Sequence, residues 1–280
     1  MAFTTRKSAN KAAVKMKARF IMAIDQGTTG TTVNLLDLKG NAVARVNKEY
    51  PQIYPKAGWV EHRPDDIWRS VASTIELCLK KARAKGDEVA AIGITNQRET
   101  VVIWDRKTSK PVHNAIVWQD RRTASDCEQW KNDGHSDMIR EKTGLVIDPY
   151  FSASKIRWML AHMSGVRARA QAGSLAAGTI DTYLIWRLTG GVSHVTDVSN
   201  ASRTLLMDIA TGEWSDDLLK FFDVPKSLLP EIKDSSGVFG VTKGFGVIPD
   251  GVPITGVAGD QQAALFGQTC FAEGESKCTF

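Results

Sequence analysis

The sequence predicts an α/β fold whose sheet begins antiparallel and continues parallel. Short apolar runs at 20–24, 89–95, 100–104 and 254–258 have the length of buried strands. Lys39-Gly40 joins two strand-like stretches, 31–38 and 41–50, as a hairpin signal. One helical pattern, 64–82, separates these first three strands from the next. Three strands, a helix and then further strands is the order of a mixed α/β sheet.

The first strand ends at Asp25 and is followed by the turn Gln26-Gly27-Thr28-Thr29-Gly30. In the helix, Ile67, Val71, Ile75, Cys78, Leu79 and Ala82 form one apolar stripe. Pro64 suits its first turn, Asp65 and Asp66 favour its positive end, and Gly86 is expected to break it. From 121 to 188 the pattern is mostly helical, most clearly at 154–162 and 181–188. Pro249, Gly251 and Pro253 mark a loop before the last strand, and a short helix opens at Asp260 and runs to 266. There is no internal repeat.

The 280 residues are 42% hydrophobic and 24% charged, the balance of an ordinary globular protein with room for a sizeable core. Of the 36 basic residues, six lie in 1–19, which holds no acid, so the rest of the chain carries 30 basic against 31 acidic residues. The net charge of +5 thus belongs to a terminal tail, read as disordered or as an organelle address. Without interleaved aromatics or a reader motif, it gives no nucleic-acid reading. No apolar run approaches the length of a membrane span. Cys78, Cys127, Cys270 and Cys278 form no C-x-x-C pair and read as free thiols of a reducing compartment; the five scattered histidines suggest no zinc site.

Two strand ends carry an acid followed by Gln: Asp25-Gln26 and Asp260-Gln261. Open α/β sheets gather ligands at the carboxyl ends of their strands, so the two acids are placed to share a magnesium ion or a reacting centre. The competing reading is that each caps a turn. Gly27-Thr28-Thr29-Gly30 brings two hydroxyls and several N–H groups to one turn, which suits phosphate. It is not a Walker A loop, and protein-kinase signatures are absent.

AIDQGTTG at 23–30, GWVEH at 58–62, GITNQRET at 93–100, NAIVWQDRR at 114–122, TGLVIDPYFSASK at 143–155, NASRTLL at 200–206 and GVAGDQQAALFGQ at 256–268 resemble the FGGY carbohydrate kinases, in particular their glycerol-phosphorylating branch. The resemblance runs in order from about residue 20 to the end. It implies an actin/Hsp70-like, ribonuclease H-like α/β fold with a mixed sheet and a mostly helical insertion. It also implies ATP-dependent phosphorylation of glycerol to sn-glycerol 3-phosphate, with Mg²⁺, in a cytoplasmic enzyme that forms a homo-oligomer when complete. Residues 20–270 would be the substrate and phosphate-turn domain. Residues 271–280 would begin the connection to a C-terminal nucleotide-binding domain.

Carried over by motif, Asp260 is the general base and Asp25 helps to hold Mg²⁺, with Asp260 as the second metal-facing acid. Gly27, Thr28, Thr29 and Gly30 surround the transferred phosphate. Arg98, Glu99, Tyr150, Gln261 and Asp260 surround glycerol, and Trp118 walls it. The chemistry agrees: Arg98 only donates and Glu99 only accepts, so together they read adjacent hydroxyls, while the aromatics cover the CH edge. The competing readings are a surface ion pair for Arg98-Glu99 and a core position for Trp118. Thr32 stands where many relatives carry an Arg able to meet phosphate, and a further pocket aromatic would lie past Phe280. The alternatives in function are another FGGY kinase, acting on a pentose, pentulose or gluconate, and a non-catalytic module that binds glycerol. W-Q-D-R-R with D-P-Y-F favours the small pocket.

Overall fold

The computed structural model describes residues 18–279; the basic segment expected over 1–19 lies outside the described residues as far as position 17. β1 (Phe20–Gln26), β2 (Gly30–Asp37) and β3 (Ala42–Glu49) form an antiparallel meander. Its second turn is the expected one. Gly40 has φ 85°, and the Asp37 carboxylate accepts from the N–H groups of Lys39 and Asn41 at 2.8 and 2.9 Å. After the two-residue β4 (Glu61–His62) comes α1 (Pro64–Ala82), and β5 (Val89–Asn96) then lies parallel to β1 on the side away from β2.

The chain now leaves this sheet. β6 (Val101–Asp105), β7 (Ala115–Ile116) and β8 (Leu175–Thr179) join β4 in a second, four-stranded antiparallel sheet of order β4-β7-β6-β8. Between β7 and β8 lie α2 (Ala124–Asn132), α3 (Ser136–Thr143), α4 (Ser152–His162) and α5 (Val166–Gln171). There follow α6 (Ile180–Leu188), β9 (Val195–Asp197), α7 (Val198–Ala201), β10 (Met207–Asp208), β11 (Glu213–Trp214), α8 (Asp216–Phe221) and β12 (Glu231–Lys233). The chain returns to the first sheet through β13 (Ser236–Val241) and β14 (Pro253–Gly259), and α9 (Asp260–Gly267) starts where β14 ends. The large sheet has the order β13-β14-β5-β1-β2-β3, with β1, β5 and β14 mutually parallel. This is the mixed α/β sheet that the sequence implies.

Two hydrophobic cores meet at β6. Its side chains alternate across the pleat: Val102 and Trp104 join the core between the large sheet, α1 and α6, while Val101 and Ile103 join the core of the inserted helices. Of the predicted α1 stripe, Ile67, Val71, Ile75, Cys78 and Leu79 are buried, and Ala82 packs against them.

The stretch 121–188 is mostly helical, as the sequence predicts, but it also holds β8, a strand that the sequence does not mark. β8 reads LAAGT, which has no β-branched run to mark it, and its pairing with β6 supplies what propensity does not. α1 ends at Ala82, where the sequence puts its end, but the break falls at Arg83 rather than at Gly86: Arg83 is left-handed (φ 52°) and its N–H is bonded to the last-turn carbonyls of Leu79 and Lys80. Gly86 serves packing instead, since a Cβ there would lie 2.2 Å from the Val247 carbonyl oxygen.

Gly86→Ala is therefore expected to destabilise the fold by about 1–3 kcal/mol through backbone overpacking. Urea unfolding would read this as a lower midpoint at unchanged slope; an unchanged midpoint would contradict it.

Candidate active site

The carboxyl ends of β1, β5 and β14 stop at one edge, with Gln26 and Gly259 both in register with Asn96. Residues just beyond those ends are therefore forced together: the turn after β1, Gln97-Arg98-Glu99 after β5, and Asp260 after β14.

The turn is closed by a Gly27 N–H to Gly30 carbonyl bond of 2.9 Å. Gly30 is required there, because a Cβ would sit 2.8 Å from the Lys48 carbonyl oxygen. Behind the turn is a buried layer of neutral polar groups. The Gly27 carbonyl accepts from the Tyr50 hydroxyl at 2.7 Å, Gln26 Nε2 at 2.9 Å and Gln97 Nε2 at 3.2 Å. The Thr28 carbonyl accepts from Gln52 Nε2 at 2.9 Å. In a trans peptide the carbonyl and the following N–H point opposite ways. Holding these two carbonyls inward aims the N–H groups of Thr28 and Thr29 outward, the arrangement that binds an anion. Because Gln52 donates to the turn, its Oε1 is left to accept, and that puts the proton of His62 on Nε2. Burial holds the His62 imidazole neutral, down to about 4, and pushes the Tyr50 phenol up. The layer is thus uncharged across the neutral range.

The charged groups stand in front of it. Arg98 and Glu99 are adjacent in sequence but do not pair with each other, so they are not a surface ion pair. Arg98 Nε lies 3.0 Å from Asp260 Oδ1 and Nη1 bonds to Gln262 Oε1 at 3.3 Å. The Nε–Asp260 approach is an ion pair without hydrogen-bond alignment, so this buried N–H still lacks a proper acceptor. Glu99 is only 1% exposed and left-handed at φ 60°, a conformation that costs a non-glycine residue and is kept where the surroundings enforce it. Its Oε1 takes Arg203 Nε at 2.7 Å, and among the described residues Oε2 has no hydrogen-bond donor. Burial raises the Glu99 carboxyl, opposed first by Arg203 and then by the charge of Arg98.

Trp118 is not simply core. Its Nε1 donates to Thr28 Oγ1 at 2.9 Å, and its ring meets Tyr150 edge-on at 5.5 Å. It therefore joins the Gly27–Gly30 turn to Tyr150. Asp260 Oδ1 also accepts the Gln261 N–H at 2.7 Å. Gln261 itself turns its Oε1 to Lys277 Nζ and the Thr279 hydroxyl rather than to Arg98 and Glu99.

Asp25 still reaches solvent, yet its carboxyl is raised, first by the protein crowding it, then by the charge of Asp260; Arg45 opposes. The two acids thus feel each other's charge. Among the described residues no cluster of three or more His, Cys, Asp or Glu side chains is placed to cage a metal. Two carboxylates near enough to feel each other's charge suit the needs of Mg²⁺, which keeps several waters and takes one or two carboxylates together with substrate phosphate. Thr32 is buried and accepts from Asn47 Nδ2 at 2.9 Å, so Arg45 is the cation whose charge reaches Asp25.

Sequence reasoning assigned no role to Arg203, Gln97, Tyr50 or Lys155. Arg203, Gln97 and Lys155 lie inside motifs it had singled out, NASRTLL, GITNQRET and TGLVIDPYFSASK. Only the fold shows that Arg203 reaches Glu99, a separation of 104 positions.

Residues 20–267 match the N-terminal domain of the FGGY family of carbohydrate kinases. The chain is 57% identical over 261 residues to a glycerol kinase of Bdellovibrio bacteriovorus, covering 93% of this chain and 53% of that protein. It superposes on the crystal structure of Plasmodium falciparum glycerol kinase with ADP with a TM-score of 0.88 and 40% identity, covering 93% of this chain and 52% of the other. A ligand-bound xylulose kinase from Lactobacillus acidophilus gives 0.80 and 30% identity, covering 89% and 50%. The chain thus spans about half the length of the relatives it matches.

His62 yields a pH prediction. Between pH 6.5 and about 4 the unfolded chain takes up a proton that the folded chain refuses. Stability from this group is complete above 6.5 and is lost as pH falls toward 4. By pH 4.5 the loss reaches about 2–3 kcal/mol. In His62→Gln the fall in unfolding free energy from pH 7 to 4.5 should be smaller by that amount; equal falls in both proteins would contradict it.

Proposed function

The chain belongs to the FGGY family of carbohydrate kinases, and we propose that it is the substrate-binding part of an enzyme that transfers the γ-phosphoryl group of ATP to glycerol, giving sn-glycerol 3-phosphate. The observation that carries this reading is the division of labour at the strand ends. Arg98, a donor, and Glu99, an acceptor, are each anchored by a different partner, and the charges of both, with that of Asp260, reach the Tyr150 hydroxyl. Trp118 ties Tyr150 to the anion-binding turn.

The reading assigns each residue a task. The misaligned Arg98 Nε–H and the free Glu99 Oε2 read neighbouring glycerol hydroxyls, donating to one and accepting from the next. Trp118 and Tyr150 cover the CH edge. Asp260 Oδ1 is occupied by Arg98 and the Gln261 N–H, which leaves Oδ2 to take the proton of the attacking hydroxyl. The outward N–H groups of Thr28 and Thr29 receive phosphate oxygens, with Gly27 and Gly30 shaping the turn. Mg²⁺, held by Asp25 and Asp260 through water, would neutralise the charge that develops on those oxygens. Gln261 lies next to the base but keeps its side chain on Lys277 and Thr279, so its contact with glycerol requires that pair to open.

Residues 20–270 form the substrate and phosphate-turn unit in this reading, and 271–280 lead toward the part of the enzyme that holds the rest of the nucleotide. α9 supports this, since it buries no residue, and Phe266 and Phe271 touch each other while 72% and 66% exposed. The complete enzyme is taken as a cytoplasmic homo-oligomer. The free cysteines agree with a reducing compartment, and among the described residues no helix is long and apolar enough to cross a membrane. The likeness to xylulose kinase keeps a pentulose as the second reading.

The complete enzyme should turn over glycerol faster than xylulose or gluconate, and the reverse ranking would reject the assignment. Asp260→Asn should lower kcat by about 10²–10⁴-fold while glycerol still binds; unchanged turnover would remove Asp260 from the role of base. The 280-residue chain alone should form little or no product with ATP and Mg²⁺, and robust turnover by it would reject the division proposed here.

A further inference from the structure

We propose that Lys155 is a positioning residue for the polyol site, its ammonium group locking the turn 149–151 so that Tyr150 is presented to the substrate. The proposal rests on the reading of Tyr150 as part of a glycerol pocket.

Lys155 lies in the first turn of α4 and is completely buried. Its Nζ donates to three consecutive backbone carbonyls: Pro149 at 2.6 Å, Tyr150 at 2.6 Å and Phe151 at 2.9 Å. An ammonium has three protons, one for each carbonyl. A neutral amine has two, and would turn its lone pair on the third oxygen. The geometry is therefore that of the charged form. Three successive carbonyls converging on one point is an arrangement that repels itself without a cation at the centre.

The opposite side of the same turn is fixed too. The Tyr150 N–H donates to Asp148 Oδ1 at 2.8 Å, and Asp148 is held by Arg121 Nη1 at 3.2 Å. The peptides on both sides of Tyr150 are thus locked, and its ring is left half-buried against Trp118 and under Arg203. The charges that face Lys155 come from Glu99 after β5, Asp120 after β7, Asp148 in the turn and the Cys127 thiol on α2; each raises its proton affinity, while burial lowers it more, to about 7. In return, the ammonium is one of the charges that hold Glu99 ionised. A helix position facing a core is ordinarily filled by an apolar side chain, because a buried cation without a carboxylate partner is costly. Here the cost is offset by three carbonyls that belong to the substrate-facing turn.

The test uses the complete enzyme and reads glycerol and ATP separately. In Lys155→Met the Kd for glycerol, measured by calorimetry, should rise at least about tenfold, while the KM for ATP stays within about twofold. In a Tyr150→Ala background the same substitution should add little further loss, because both act through one contact. Equal losses for both substrates, full additivity, or unchanged glycerol binding would overturn the proposal. If Lys155→Met does not fold, ¹⁵N-lysine NMR of the wild type decides. A slowly exchanging Lys155 ammonium signal should shift on glycerol saturation, and a signal that is absent or unmoved would overturn the proposal. Wild-type enzyme that fails to bind glycerol at all would instead reject the functional reading on which this one rests.

Discussion

The shared register of β1, β5 and β14 is the constraint on which the site depends. Three parallel strands stop level with Asn96, so the residues that follow each of them have nowhere else to go. Asp25, Arg98 with Glu99, and Asp260 come from sequence positions far apart, yet the ladder delivers them to one edge. Asn96 secures that edge to the insertion through a reciprocal amide pair with Asn200, at 2.9 and 3.2 Å. A one-residue slip of any of these strands would turn its side chains to the opposite face and scatter the constellation. The apolar runs in these strands thus serve the site as much as the core.

Charge is sorted by depth at this edge. Behind the turn lie Gln26, Tyr50, Gln52, Gln97 and His62, all neutral and mutually hydrogen-bonded, so burial costs them little. In front lie Arg98 with Asp260 and Arg203 with Glu99, each charge answered by its partner, and Asp25, whose carboxylate is opposed by Asp260 and favoured by Arg45. A buried network of neutral amides can hold a backbone loop rigidly without imposing a field of its own on an anion. Had His62 been charged, the layer would have attracted phosphate into a position set by one residue rather than by the turn. In the proposed site the sorting leaves electrostatics to the groups in front of the turn, and rigidity to the groups behind it.

Much of this was legible in the sequence because it is local. The strands at 20–24, 89–95 and 254–258, the α1 stripe, the Gly27–Gly30 turn and the acids at two strand ends all follow from spacing and residue type. What escaped is long-range or has no pattern. β8 is composed of small residues whose strand state comes from β6. Gly86 has an ordinary negative φ, and only the Val247 backbone beside it shows why it is glycine. Lys155 looks like any helix lysine until three carbonyls are seen to converge on it. Arg203 is one of many arginines, and although the motif marks Trp118 as a wall of the site, the bond from its indole to Thr28 is invisible before folding.

The placement of Asp260 shows how the two cores are joined at the point of chemistry. The residue before it, Gly259, passes so close to Arg98 that a Cβ would lie 2.5 Å from its Cδ. The Gly259 N–H donates to Ser199 Oγ at 2.8 Å, and the Ser199 hydroxyl in turn bonds to the Asp197 carboxylate at the N-terminus of α7. Asp197 lies on β9, whose Val195 belongs to the core of the large sheet, while Arg203, just beyond α7, stacks on Phe151 of the second core and reaches Glu99. One short segment, 197–203, therefore fixes both the proposed base and the proposed acceptor of a substrate hydroxyl. Movement of the inserted part against the sheet would change both at once, which makes the relative position of the two cores, rather than any single side chain, the quantity that sets the geometry of the site.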